Sequence, residues 1–488
     1  MFYLKAVGEI LIIHRTHVKN QTKPMQTILK TAIILALVFI SVSANAQILQ
    51  VSDISISGNR KTKPNIILCE MEVQAGDTLS ASQLPTILEK SKDNLLKTSL
   101  FNYVTITHEY NDIDSSQLKI NIAVEERWYL WPNANITPHN GNLNDWLHDP
   151  DLSLIDYCAG LKKYNFRGRR EAVYINTRFG FNNFVQIGYK NIGLDNRRRH
   201  MLSLAISTKR QKSLIIKEAD NKTHYQEFDG VKTAIRNYNY EITYTYRPQT
   251  NLTNNLTIGY IKTSIHDSVA ILNPDFLGSG RTGLEGVILK YEFRLDNRNS
   301  NYYPLKGSFT SIFLHKKGLS GNSLNVWKAD IDFRKYLQAA DRLYFASQIY
   351  GSFSSSGLPF SQMEAIGYKP NILKGYEQNY IAGQKLMYLN TSYKWEIVKP
   401  HIWHIKKLNL PRFNKIHYAI YINLFANAGY VSAKSLDTEN LNTMNDALLG
   451  AVGAGLDLVT YYDRIFTIYA ARNAQGSSYV GLGFKTAF

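Results

Sequence analysis

The chain has 488 residues, a formal charge of +17 with 19% charged residues, and an aromatic share of 12% that includes 32 Tyr. Aromatics suit pleated surfaces and Tyr suits membrane interfaces, so the composition points to a β-rich protein. Basic residues are scattered rather than gathered into one stripe, which argues against nucleic acid, and two cysteines, Cys69 and Cys158, exclude a disulfide framework or a cysteine metal site.

Residues 1–46 read as an upstream extension followed by a secretory signal that starts at Met25. Lys30 is its positive n-region, Thr31 to Val42 its apolar core, and Ala44-Asn45-Ala46 an A-x-A cleavage site before Gln47. No later apolar run reaches membrane-helix length, so a membrane-spanning part is expected to be a β-barrel.

Residues 48–126 read as a small α+β domain. Ile54 and Ile56 alternate with serines before Gly58-Asn59. Thr62 is the expected cap of a first helix, with Pro64 in its first turn. Ser80 is expected to open a second helix with Leu84, Ile87, Leu88, Ser91 and Leu95 on one face. Two alternating runs follow, at Tyr103–Tyr110 and Leu118–Glu125. The segments "ISISGNRKTKPNIIL", "VQAGDTLS", "LFNYVTI" and "INIAVEE" resemble a POTRA domain, the periplasmic module of the BamA/TamA outer-membrane assembly family. An edge strand of such a domain can pair with an extended peptide.

From residue 127 to 488 alternation gives sixteen segments, at roughly 127–138, 152–163, 171–179, 183–190, 199–208, 235–246, 254–264, 284–295, 307–315, 324–337, 342–352, 384–397, 416–428, 447–459, 464–471 and 477–488. An even number suits a closed antiparallel barrel. Connections after even segments are mostly short and those after odd segments mostly long, with 398–415 the long exception. The fold expected is mainly β: one POTRA domain and a sixteen-stranded transmembrane barrel.

The resemblance to the BamA/TamA family extends along this region. It is carried by "EERWYLWPNANI", "KYNFRGRRE", "RLDNRNSNYYPLKGS", "FANAGYV" and "GAVGAGLDL", in the family's order. It implies a periplasmic hairpin motif at Asp296, Arg298, Pro304 and Gly307. It also implies that the long loop 352–383 folds into the lumen. The tip, Lys374, Gly375, Tyr376 and Glu377, matches the family's Arg-Gly-(Phe/Tyr) motif with Lys for Arg. The implied wall partners are Glu396 and Asn427, and Lys374 is expected to dock on Glu396.

The closing seam between first and last segments is expected to be weak. Trp128 and Pro132 lie on one side, Gly481, Gly483 and the terminal Phe488 on the other, and proline and glycine both weaken a ladder. The sequence has no G-x-S-x-G or H-E-x-x-H, and His401 and His404 form only an H-x-x-H in a connection. The reading is therefore a non-enzymatic outer-membrane protein without cofactor or metal. It inserts barrel clients or passes polypeptides through the seam. Its expected partners are the lipid bilayer, unfolded polypeptide clients and periplasmic accessory proteins, with no nucleic acid. A passive pore and a two-partner-type secretion translocator are the alternatives.

Overall fold

The computed structural model describes residues 48–138, 146, 150–228, 230–319, 325–355, 357–367, 373–404, 415–433, 442–460 and 464–485. The targeting segment and Phe488 lie outside the described residues. The chain divides into two compact units. Residues up to Ser55, Glu72–Glu89 and Thr107–Asn121 form one, and Ile56–Met71, Lys90–Ile106 and the chain from Ile122 onward form the other.

The N-terminal elements are β1 (Ile48–Ser57), α1 (Pro64–Leu68), β2 (Thr78–Ser80), α2 (Leu84–Lys97), β3 (Phe101–Tyr110) and β4 (Gln117–Glu126). The strand order is β2-β1-β4-β3. Leu49, Val51, Leu79, Leu84, Leu88, Leu118 and Ile120 are buried in the smaller unit. Ile66, Ile67, Leu95, Phe101 and Ile122 are buried in the larger one.

Two local expectations change. Ser80 does not open a helix: it lies in β2, opposite Ile48, because the backbone groups of β1 need a partner on that side. Thr62 does not cap α1, whose N-cap is Lys63 without a side-chain bond. The Thr62 hydroxyl instead donates to Glu126 Oε1 at 2.6 Å, and the Thr62 amide donates to the same oxygen at 2.7 Å. Glu126 is a buried carboxylate, and a buried carboxylate needs such donors more than a short helix needs a cap.

The rest of the chain forms one antiparallel sixteen-stranded sheet. Its first strands are β5 (Leu130–Pro138), β6 (Ile155–Phe166), β7 (Glu171–Gly180), β8 (Asn182–Gly193) and β9 (His200–Gln211). A separate hairpin follows, β10 (Leu214–Ala219) and β11 (Lys222–Gln226). The barrel resumes with β12 (Ile235–Gln249) and β13 (Leu252–Ile265), then a short helix α3 (Asp267–Leu272), then β14 (Gly283–Asp296), β15 (Gly307–Lys317), β16 (Val326–Ala340) and β17 (Leu343–Ser354). Two three-residue strands, β18 (Glu364–Ile366) and β19 (Ile381–Gly383), pair within the next connection. The last barrel strands are β20 (Lys385–His404), β21 (Lys415–Ser432), β22 (Leu448–Thr460), β23 (Arg464–Asn473) and β24 (Ser478–Lys485).

Alternation sorts the faces. On β21 Leu424 is exposed while Tyr421, Asn423, Phe425 and Asn427 are buried. On β24 Val480, Leu482 and Phe484 are exposed. Such an apolar outer face with a mixed inner face is the pattern of a lipid-facing barrel. Part of the long connection 398–415 is strand, since β20 runs to His404 and β21 begins at Lys415. A register shift between Val398 and His401 spans Pro400, whose ring nitrogen has no proton to donate.

Three connections at the far end, opposite the end where the chain enters the barrel, pack into one apolar cap. Leu214 and Ile216 of β10, Val269 of α3, Phe276, Leu277, Leu358 and Phe360 form its core. The turn between β14 and β15, at the entry end, is fixed by the Asp-x-Arg…Pro-x-x-Gly motif. Arg298 donates to Asp296 from Nε at 2.8 Å and Nη2 at 2.5 Å, and its guanidinium lies 4.5 Å from the Phe309 ring centre. Pro304 is buried. Gly307 has φ 101°, and a Cβ there would sit 2.1 Å from Asn297 O. Arg298→Ala removes a charge-assisted fork from a mostly buried carboxylate. It is expected to lower barrel stability by about 2 kcal/mol in a urea titration, and an unchanged midpoint contradicts this assignment.

Candidate functional site in the barrel lumen

The site begins with a row of small residues. Ala451, Gly453 and Gly455 occupy the inner face of β22, flanked by Phe425 and Asn427 on β21 and by Tyr469, Ala471 and Asn473 on β23. The missing side chains leave room for two rings. A Cβ on Gly453 would lie 2.4 Å from Phe425 Cζ, and one on Gly455 would lie 2.8 Å from Tyr469 Cβ. The Phe425 and Tyr469 rings meet edge to face with centres 5.9 Å apart. Gly481 of β24 leaves space for the same tyrosine, since a Cβ there would sit 2.2 Å from Tyr469 Cζ.

The loop tip sits on this floor. Lys374 Nζ lies 4.3 Å from the Phe425 ring centre and 5.0 Å from that of Tyr469. Gly375 has φ 97° and presses on the wall, where a Cβ would come within 2.7 Å of the Ala451 Cβ. Only glycine combines that backbone with that approach. Two wall amides hold its carbonyls: Asn427 Nδ2 donates to Lys374 O at 3.2 Å and Asn473 Nδ2 to Gly375 O at 3.0 Å. Tyr376 is fully buried. Its hydroxyl lies 2.7 Å from Gln475 Oε1 and 2.9 Å from Gly450 O, and accepts from the Gly450 amide at 2.8 Å. Glu377 is buried, accepts from the Gly375 amide at 2.9 Å, and accepts from the Tyr469 hydroxyl.

The expected docking of Lys374 on Glu396 is corrected. Glu396 pairs in register with Tyr421, whereas Asn427 pairs with Asn390. Six residues of strand separate the two levels, about 20 Å at roughly 3.3 Å per residue. Glu396 instead accepts from the Tyr421 hydroxyl at 3.2 Å. The structure thus places Lys374, Gly375, Tyr376, Glu377 and Asn427 together, with Glu396 elsewhere.

Glu396 borders a second insertion, from the opposite end. Tyr303, in the β14–β15 turn, reaches into the lumen and donates to Asp457 Oδ2 at 2.8 Å. Its ring centre lies 4.9 Å from that of Tyr421, and Lys394 Nζ lies 3.9 Å from the Tyr303 ring centre. The loop tip and this tyrosine therefore occupy successive inner-face positions of the β20–β23 wall. Sequence reasoning did not single out Tyr303, although it lies between Asp296 and Pro304 in the quoted hairpin.

Asn221, at the tip of the β10–β11 hairpin, ties the cap together. Its amide donates to Asn442 Oδ1 at 2.7 Å and its carbonyl accepts from the Tyr380 amide at 2.7 Å. Its side chain accepts from the Met444 amide at 3.0 Å and donates to Thr443 Oγ1 at 3.2 Å. Nearby, Glu218 accepts from Asn442 Nδ2 at 2.5 Å and from the Ala382 amide at 3.3 Å. Burial outweighs those two bonds and pushes its carboxyl up to about 7. No local sequence signal marks Asn221, because all its partners are remote in the chain.

The remaining sequence candidates lie at the sheet's ends. Trp128 precedes β5 rather than lying in it and is exposed. Pro132 is opposite Leu161, Gly481 opposite Tyr469 and Gly483 opposite Thr467. The strand order starts at β24 and finishes at β5, and no register joins those two among the described residues.

Residues 49–127 match the family model described as POTRA, "Surface antigen variable number repeat". No curated protein matches the chain in sequence. Among solved structures it is similar to BamA from Haemophilus ducreyi lacking POTRA domains 1–3. The identity is 16%, the match covers 89% of this chain and 84% of that one, and the TM-score is 0.51. It is also similar to CdiB from Escherichia coli, with 11% identity, 89% and 75% coverage, and a TM-score of 0.51. The protein is thus a POTRA-plus-barrel protein of the BamA-like fold.

Tyr376→Phe removes the hydroxyl and strands its buried partners. It is expected to weaken loop seating by about 2 kcal/mol, roughly thirtyfold in the unseated fraction. Faster protease cleavage within 373–383 reads this out, and an unchanged rate contradicts it. The raised Glu218 carboxyl gives a second test. Protonation is favoured in the folded cap, so cap stability is full below about 4.5, the ordinary value, and falls as pH rises through about 7. Proteolysis of the cap should slow on acidification from pH 8 to pH 5, and Glu218→Gln should flatten that profile.

Proposed function

We propose that the protein sits in the outer membrane with its POTRA domain in the periplasm. It moves polypeptide clients into or across that membrane at the β5/β24 seam, without enzymatic chemistry. The observation that carries this reading is the state of β5. Residues 132–136 are exposed on both faces, whereas the inner faces of β21 and β23 are covered. A strand exposed in this way, bearing Pro132, offers an edge on which an incoming strand can pair.

The lumen supports the same choice over a passive pore. Loop residues 373–377 enter from one end and Tyr303 from the other, both against the β20–β23 wall. The family resemblance supports barrel insertion, and the likeness in fold to CdiB keeps secretion as the second form of the same activity. Tyr469 gives the loop a route to the seam, since its ring rests on Gly481 of β24 while its hydroxyl holds Glu377.

A cysteine pair joining β5 to β24 tests the seam. Oxidised protein in liposomes is expected to lose client insertion and to regain it on reduction. Full insertion by the locked, folded barrel overturns the proposal.

A further inference from the structure

Two adjacent turns at the entry end carry six arginines: Arg167, Arg169 and Arg170 between β6 and β7, and Arg197, Arg198 and Arg199 between β8 and β9. Some are turned inward. Arg170 donates to Glu70 at 2.5 Å, and Arg198 is buried with its guanidinium on Asn191 O at 2.6 Å. Arg169 lies 3.8 Å from Glu171. The other three face outward. Arg167 pairs with Glu171 at 2.8 Å with half its side chain exposed, while Arg197 and Arg199 are exposed and have no ion-pair partner among the described residues. The nearby Asp195 carboxylate is occupied by the amides of Arg199, at 3.2 Å, and His200, at 2.8 Å.

An aromatic belt lies beside these guanidiniums on the outer face of the barrel. His200 stacks on Tyr244 and Tyr246 with ring centres 6.0 and 5.2 Å away, and both tyrosines are exposed. Arg167 donates to the Tyr189 hydroxyl at 2.7 Å, and Leu194 of the β8–β9 turn is exposed. Aromatic girdles mark the level of the lipid headgroups. Cations just beyond such a girdle stand at the height of the phosphates, and the arginine fork matches a phosphate with two parallel hydrogen bonds.

We propose that the turns at 165–170 and 194–199 bind the phosphate headgroups of anionic phospholipid in the membrane leaflet at the end where the chain enters the barrel. This rests on the outer-membrane reading above. The consequence is mechanical. The two turns flank β7 and β8, close to β5, so headgroup binding anchors the wall beside the seam while the β5 edge stays free. Two other turns on this end supply a control: Lys306 stands in the β14–β15 turn, and Arg342 follows Asp341 between β16 and β17.

The test reconstitutes the full-length mature chain in vesicles of seven parts phosphatidylcholine to three parts phosphatidylglycerol. Spin-labelled versions of each lipid report which one is held at the barrel surface. Wild-type protein should hold phosphatidylglycerol several-fold over phosphatidylcholine. Arg197→Gln with Arg199→Gln should bring that ratio close to one. Arg197→Lys with Arg199→Lys should keep the preference, as should the charge-matched control Lys306→Gln with Arg342→Gln. An unchanged ratio in the Arg197→Gln/Arg199→Gln barrel, or an equal loss in the control, overturns the proposal. If wild-type protein does not insert into the vesicles as a heat-modifiable barrel, the outer-membrane reading fails first and the proposal falls with it.

Discussion

Tyr469 is the side chain on which the seating of the lumen loop depends. Its ring lies over Gly481 on one side and meets Phe425 edge to face on the other. Its hydroxyl binds the buried Glu377, and Lys374 sits over its face. This packing needs the glycines at 453, 455 and 481, where added carbon atoms would collide with the Phe425 ring, the Tyr469 Cβ and the Tyr469 ring in turn. Gly481 therefore has a packing role beyond weakening a ladder. A cation held over two aromatic faces in a desolvated site contributes on the order of 2 kcal/mol, and it does not need the carboxylate partner an arginine fork prefers. The wall around Lys374 offers rings and amides.

The lumen is filled from both ends along one wall. Asn427 and Phe425 meet the loop tip, and the next inner-face residues of the same strand, Asn423 and Tyr421, meet Asp457 and Tyr303. Motion of client protein through the middle would have to displace both insertions and break a set of buried hydrogen bonds. β5, by contrast, is exposed on both faces over residues 132–136.

Much of the fold was legible in the sequence because alternation with period two is a local signal. All sixteen barrel strands correspond to alternating segments, and Asn427, an implied wall partner, lies on the inner face of β21. What the sequence hid was register. Glu396 shares the inner face of its strand with Asn390, and parity alone does not say that it lies six residues from the loop tip. The same applies to Tyr303 and Asn221, whose partners are 154 and 221 residues away. Trp128 read as part of the first strand because it alternates with Leu130, yet the ladder to β6 begins only at Leu130. Ser80 and Thr62 carried helix-start chemistry, and in each case a tertiary partner took precedence.

The central claim is that clients move at the wall while the lumen stays filled. Client insertion and ion conductance measured on the same wild-type liposomes test it most directly. The claim predicts insertion of an unfolded barrel client with no steady open-pore current. A steady current in the absence of client, with no insertion, would contradict it.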